Sequence, residues 1–249
     1  MNKPALARRL LAEFVGTAML VTVVVGSGIA AQQLSPDDVG LQLLENSIAT
    51  ALGLAVLIVM FGPVSGAHFN PVVTAADWLL GRAKKTGIGG RDALSYAAAQ
   101  TIGAVTGSWL ANLMFDRHVF ELSAKDRVST GHLVGEIVAT AGLITLIFAL
   151  VRTGRPGVSA AAVGGYIGAA YWFTSSTSFA NPAVTVGRMF SDTFAGIDPA
   201  SVPGFVAAQM IGALVGLALV CALYPDTATI ADDVVVPHPP ATRRHQGIE

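Results

Sequence analysis

The chain alternates between long apolar runs and short polar stretches. Six runs, at about 10–31, 41–61, 93–113, 132–151, 157–173 and 202–224, approach the ~20 residues that a helix needs to cross a hydrocarbon core of ~30 Å. Two further segments are too short to span: 65–74, SGAHFNPVVT, between the second and third runs, and 175–191, SSTSFANPAVTVGRMFS, between the fifth and sixth. Each holds one device, Asn70-Pro71-Val72 in the first and Asn181-Pro182-Ala183 in the second. Asn is suited to a helix N-cap and Pro to the first helical turn, so each predicts a half-helix with unpaired N–H groups at its start. A short helix buried between spans has to enter and leave on one side.

The two halves are related. LLAEFVGTAML at 10–20 aligns with LVGEIVATAGL at 133–143, placing Glu13 against Glu136; SYAAAQTIGAVTG at 95–107 aligns with GFVAAQMIGALVG at 204–216, placing Gln100 against Gln209. Three spans per half means that the second copy is inserted upside down, an inverted repeat. The expected fold is all-α: six transmembrane helices plus two re-entrant half-helices in one domain over 1–224, with repeats at about 9–114 and 131–224. The remainder, 225–249, is proline-containing and polar at its end, and is expected to be a poorly ordered tail. Four-residue spacing at Gly103 and Gly107, and at Gly212 and Gly216, predicts close backbone approach between helices.

Composition agrees with a membrane protein, since 53% of the 249 residues are hydrophobic and 12% charged. A formal net charge of -1 with no basic face points away from nucleic acid. With the N-terminus inside, the inner segments hold Lys3, Arg8, Arg9, Arg82, Lys84, Lys85, Arg91, Arg152, Arg155, Arg243 and Arg244, and the outer loops only Arg117, Lys125 and Arg127. That bias places both termini in the cytoplasm. The single Cys221 cannot form an intrachain disulfide and is expected to be a small buried packing residue.

The chemistry expected where the half-helices meet is that of a pore. Two opposed helix N-termini bring two partial positive charges of about half an elementary charge each to one point, and Asn70 and Asn181 add amide donors. Such a point admits neutral hydrogen-bonding molecules in single file and repels cations. A plain helix cap would explain one Asn-Pro; two copies in an inverted repeat favour a pore. No acid, base or nucleophile is brought together there, and a buried Glu13 or Glu136 has to turn inward, away from lipid.

On AEFVGT at 12–17, SGAHFNPVVT, the two Gln-containing spans and the second Asn-Pro-Ala, the chain resembles the aquaporin, or major intrinsic protein, family. The resemblance implies a right-handed helix bundle, a homotetramer with one pore per subunit in the cell (inner) membrane, and passive flux without a cofactor or metal. It also implies that Asn70 and Asn181 carry the central constriction, that Pro71, Val72, Pro182 and Ala183 start the half-helices, and that Glu13 and Glu136 brace their loops. Most members have an arginine after the second motif where this chain has Val184, which implies a wider and less cation-repelling filter. Counting back from each Asn places the other filter positions at Thr50, Ala169 and Ser178, with a two-residue shift bringing Tyr171 inward in place of Ala169.

His68 is expected at the inner mouth. Arg188 either supplies charge to the outer vestibule or neutralises carbonyls at the end of its helix, and the second is the expectation. Asp77 holds the matching place, seven residues after Asn70. The NPAVT form with FTSSTSFA before it is similar to an arsenic-resistance-associated prokaryotic branch, implying conduction of metalloid hydroxides such as arsenite, with antimonite, methylated arsenicals and water as further permeants. The alternatives are a glycerol, urea or water facilitator and, from another class, an ion-coupled transporter. The transporter lacks a paired intramembrane acidic site beyond the two bracing glutamates.

Overall fold

A computed structural model of the chain describes residues 4–82 and 86–224. Lys3, Lys84, Lys85, Arg243, Arg244 and the tail at 225–249 lie outside the described residues. Eight α-helices follow in order: α1 (Leu6–Leu34), α2 (Val39–Ser65), α3 (Pro71–Gly81), α4 (Gly90–Met114), α5 (Thr130–Arg152), α6 (Ser159–Phe173), α7 (Pro182–Arg188) and α8 (Val202–Leu223). Two 3₁₀ turns, Pro156–Val158 and Pro199–Ser201, lead into α6 and α8. The order is three long helices and one short helix in each half, as the repeat requires.

α1 outruns its apolar stretch at both ends, because helical hydrogen bonding continues through Arg8 and Arg9 and through Gln32 and Gln33. Four helical segments, Leu6–Leu34, Val39–Ser65, Thr130–Arg152 and Pro199–Leu223, are long and apolar enough to cross a membrane on their own composition. α4 is interrupted by polar residues such as Asp92 and Gln100, and α6 has only 15 residues. Their neighbours compensate: Gln100 is fully buried and Asp92 is in an ion pair with Arg9 of α1 at 2.7 Å.

The small residues act where expected. A Cβ added at Gly103 would lie 2.4 Å from the carbonyl oxygen of Phe14, and one at Gly107 2.2 Å from that of Ala18, so α1 and α4 touch backbone to backbone. Gly212 and Gly216 make the same approach to the carbonyls of Ile137 and Ala141, joining α5 to α8. Between the halves, Gly164 of α6 sits against the Ala51 carbonyl of α2. Thr22 then donates to the Gly107 carbonyl at 3.1 Å across the α1–α4 seam.

The outer surface is apolar, with Leu52, Val56, Val59, Leu94, Ile102 and Leu214 exposed, while Glu13, Gln100, Glu136 and Gln209 are sealed inside. This is the distribution of a protein solvated by lipid. Cys221 belongs to that outer surface and not to the core: it is exposed, because α8 turns its other face, through Gly212, Gly216 and Val220, toward the bundle.

The site where the half-helices meet

Asn70 and Asn181 cap α3 and α7 from extended backbone, and Pro71 and Pro182 occupy the first turns. The Asn70 side-chain oxygen accepts from the Val72 N–H at 3.0 Å; that of Asn181 accepts from Ala183 at 3.0 Å and Val184 at 3.2 Å. The side-chain nitrogens cross over. Asn70 Nδ2 donates to the Ala180 carbonyl at 2.8 Å and Asn181 Nδ2 to the Phe69 carbonyl at 2.7 Å. The half-helices thus meet N-terminus to N-terminus. Each amide nitrogen carries two hydrogens, so one bond to the opposing loop leaves a second donor at the cavity that both residues line.

The loops that deliver these residues are strained in register. Gly66, Ala67 and Phe69 before Asn70, and Thr177, Ser178 and Ala180 before Asn181, all have positive φ, which costs a residue other than glycine of order 1–2 kcal/mol. Two buried carboxylates hold them. Glu13 accepts from Ser65 Oγ at 2.6 Å, His68 N at 3.0 Å, Phe69 N at 2.7 Å and Gln100 Nε2 at 2.7 Å. Glu136 accepts from Phe179 N and Ala180 N, both at 2.9 Å, and from Gln209 Nε2 at 2.6 Å. The two glutamines continue to Thr74 and Thr185, which donate to the carbonyls of Asn70 and Asn181. The carbonyls of Gly66, Ala67, Ser178 and Phe179 accept no hydrogen bond from the described protein, and all four residues line the cavity.

That cavity has a volume of about 1010 Å³. It extends from Pro63, Gly154 and Gly157, near the face where α1 begins, past Asn70 and Asn181 to Thr50, Tyr171, Val184 and Arg188 on the far side. One wall is aliphatic, from Leu20, Val24, Leu54, Leu143, Ile147 and Ile167; the loops and asparagines supply the polar wall. His68 lines it on the near side, its Nδ1 3.0 Å from Thr74 Oγ1 and its ring edge-on to Tyr96.

On the far side, Thr50, Ser178 and Val184 line the cavity, and Ala169 does not. Ala169 is exposed on the outside of the bundle, and Tyr171 takes its place with its hydroxyl 3.2 Å from Thr50 Oγ1. Two residues are about 200° of helical turn, so the two cannot share a face. The signal was in the sequence: a tyrosine within a span needs a partner for its hydroxyl.

Arg188 ends α7. Its Nε donates to the Ala195 carbonyl, it lies in the cavity wall, and its guanidinium carbon is 3.5 Å from the centroid of the Phe179 ring. Arg127, from the loop between α4 and α5, sits 5.2 Å from the same centroid, with Nε on the Gly196 carbonyl at 2.6 Å and Nη2 on that of Phe194 at 2.9 Å. Lys125 Nζ donates to the Phe194 carbonyl at 2.9 Å. Burial, reinforced by the neighbouring guanidinium of Arg188, lowers Arg127 to about 9; burial and then both arginines lower Lys125 to about 8. Phe179, Arg127 and Lys125 were missed as site residues, since spacing cannot show that 123–127 folds over the end of α7 through the Ser123 N–H on the Met189 carbonyl. Asp77 differs from Arg188: it is buried on α3 itself, does not line the cavity, and accepts from Ile88 N at 2.8 Å, pinning the loop that follows the helix.

The family model for the major intrinsic protein matches residues 1–178 of the chain. Among curated proteins, the chain is 49% identical to the aquaglyceroporin AqpS of Rhizobium meliloti over 86% of this chain and 89% of that protein. It is 31% identical to a glycerol uptake facilitator protein of Streptococcus pneumoniae over 72% of this chain and 80% of the other. Among solved structures, the aquaglyceroporin from Plasmodium falciparum superposes with a TM-score of 0.67 over 90% of this chain and 100% of that one; at 18% identity, this likeness speaks for the fold.

Proposed function

Since the chain belongs to the major intrinsic protein family of membrane channels, we propose that its pore passes small neutral solutes of the glycerol class, with water. The observation that carries this reading is the mixed lining of the cavity. Unpaired loop carbonyls and two Asn amides line it together with Leu20, Val24, Leu54, Leu143 and Ile147. A small polyol has a hydroxylated edge and a carbon edge, and can keep both satisfied as it moves. The names of the two bacterial relatives, an aquaglyceroporin and a glycerol uptake facilitator, support the same class. In this reading Asn70 and Asn181 form the central constriction, Thr50, Tyr171, Ser178 and Val184 the selectivity filter, and His68 the inner mouth. The termini are cytoplasmic and the assembly is a homotetramer.

A second reading is favoured by one residue. Val184 places an apolar side chain where most of the family has arginine, which suits a solute bulkier than water. Arsenous acid is neutral at pH 7 and displays hydroxyls as a small polyol does, so arsenite, antimonite and methylated arsenicals are permeants of the same type.

Proteoliposomes test both. Glycerol, urea, water and arsenous acid should equilibrate faster than in empty vesicles, without saturation and without dependence on an ion gradient; saturable, gradient-driven uptake would instead indicate an ion-coupled transporter. Val184→Arg should slow arsenite more than water, and an unchanged arsenite flux would remove the role assigned to this position.

A further inference from the structure

We propose that Arg188, held on Phe179 and backed by Arg127, is a displaced cation barrier: it supplies, one helical turn further out, the fixed positive charge that Val184 does not. The assignment rests on the channel reading and adds the residue that keeps that channel tight to cations. Val184 and Arg188 are four residues apart on α7, on one face and about 6 Å along the axis, and both line the cavity.

The guanidinium is fixed on two sides. The Phe179 ring lies under it at 3.5 Å from its centroid, and the Ala195 carbonyl takes Nε. Its two terminal NH2 groups make no hydrogen bond within the described protein, although the residue is 98% shielded from solvent at 2% exposure. They are available only to the cavity that the residue lines. A planar cation over an aromatic face, with its remaining donors open, is a stable way to present charge to a narrow passage.

No carboxylate among the described residues is in ion-pair contact with the guanidinium. Among the described residues the ion pairs are Arg9–Asp92 and Arg117–Glu121, both elsewhere. Arg188 Nε, Arg127 and Lys125 instead donate to the neutral carbonyls of Ala195, Gly196 and Phe194. Glu136 acts on Arg188 from beyond ion-pair distance, its oxygens held by Phe179 N, Ala180 N and Gln209 Nε2. Asp192, which acts on Lys125, accepts from the Ala124 N–H at 3.0 Å. The Arg188 guanidinium therefore stands in the cavity wall without an ion-pair partner among the described residues. One uncompensated charge about 10 Å from a permeating cation, at an effective dielectric constant of about 20, lowers its passage by about tenfold or more.

The test uses the full chain in proteoliposomes. A pH-reporting dye and a K⁺ diffusion potential read the leak of protons and K⁺, glycerol efflux from the same vesicles shows that the channel is open, and the leak is scaled to the amount of reconstituted protein. Arg188→Met and Arg188→Gln should raise the cation leak per reconstituted channel about tenfold over wild type. Gln keeps an amide donor for the Ala195 carbonyl, separating loss of charge from loss of fold. Phe179→Leu, which leaves the charge but removes its platform, should give an intermediate leak. Val184→Arg combined with Arg188→Gln should return the leak to the wild-type level. An Arg188→Gln channel that passes glycerol and stays as cation-tight as wild type overturns the assignment, as does a Val184→Arg/Arg188→Gln channel as leaky as Arg188→Gln alone. A wild type that passes no glycerol overturns the channel reading instead.

Discussion

The hydroxyls of Thr50 and Tyr171, 121 positions apart in the chain, lie 3.2 Å from each other, and both residues line the cavity. They join α2 of the first half to α6 of the second, so this polar part of the cavity lining is built from both halves. Removing either hydroxyl leaves its partner without this bond, at a net cost of about 1 kcal/mol, and changes what a solute meets there. Tyr171→Phe should therefore lower glycerol permeability several-fold relative to water, as read by stopped-flow light scattering. Equal changes in the two fluxes would remove Tyr171 from the filter.

Glu136 ties Phe179 and Ala180 to Gln209, and a hydrogen bond to a charged group contributes about 1.5–3 kcal/mol. Glu136→Gln should lower the thermal midpoint of the purified protein, and Glu136→Ala should lower it further. Scanning fluorimetry in detergent reads both, and a variant as stable as wild type would show that the loop keeps its positive-φ residues without the carboxylate.

Gly103 and Gly212 admit no side chain. With added Cβ atoms 2.4 Å from the Phe14 carbonyl oxygen and 2.5 Å from that of Ile137, Gly103→Val or Gly212→Val must push paired helices apart, at a cost of typically about 1–3 kcal/mol. Both should reduce the yield of folded protein on size exclusion, and by similar amounts.

Lys125, lowered to about 8 chiefly by burial, sets a pH dependence. Its pKa is lower folded than unfolded, so between about 8 and the ordinary lysine value near 10.4 the unfolded chain binds more protons, and stability rises with pH across that window. Below about 8 both states are protonated and the dependence vanishes. The thermal midpoint should climb from pH 8 to 10 more steeply in wild type than in Lys125→Met, while equal slopes would assign the dependence to other groups.

Much of this was legible in the residues because it repeats. Asn-Pro, the Glu in the first span and the Gln in the third recur in the same order in each half, and the Glu and Gln reappear in matching hydrogen-bonded chains: Glu13, Gln100 and Thr74 in one half, Glu136, Gln209 and Thr185 in the other. What does not repeat was harder to place. Ala169 and Tyr171 differ only by a phase within α6, and no second copy fixes that phase. Phe179, Arg127 and Lys125 meet through a loop whose path depends on single bonds such as Arg127 N to Ser201 Oγ at 3.1 Å, a connection between positions 74 apart that no periodicity encodes. Cys221 was misplaced for a related reason, since an evenly apolar helix does not announce which face meets lipid.

The crossed bonds from Asn70 to Ala180 and from Asn181 to Phe69 also bear on how the molecule is made. When the ribosome has delivered only the first half, Asn70 has its own helix to cap but no Ala180 carbonyl to reach, and the Phe69 carbonyl has no donor. The first re-entrant loop is therefore incomplete until more than a hundred further residues have been synthesised, inserted and folded back against it. Neither half can close the passage by itself, and completion of the second loop is the event that locks both.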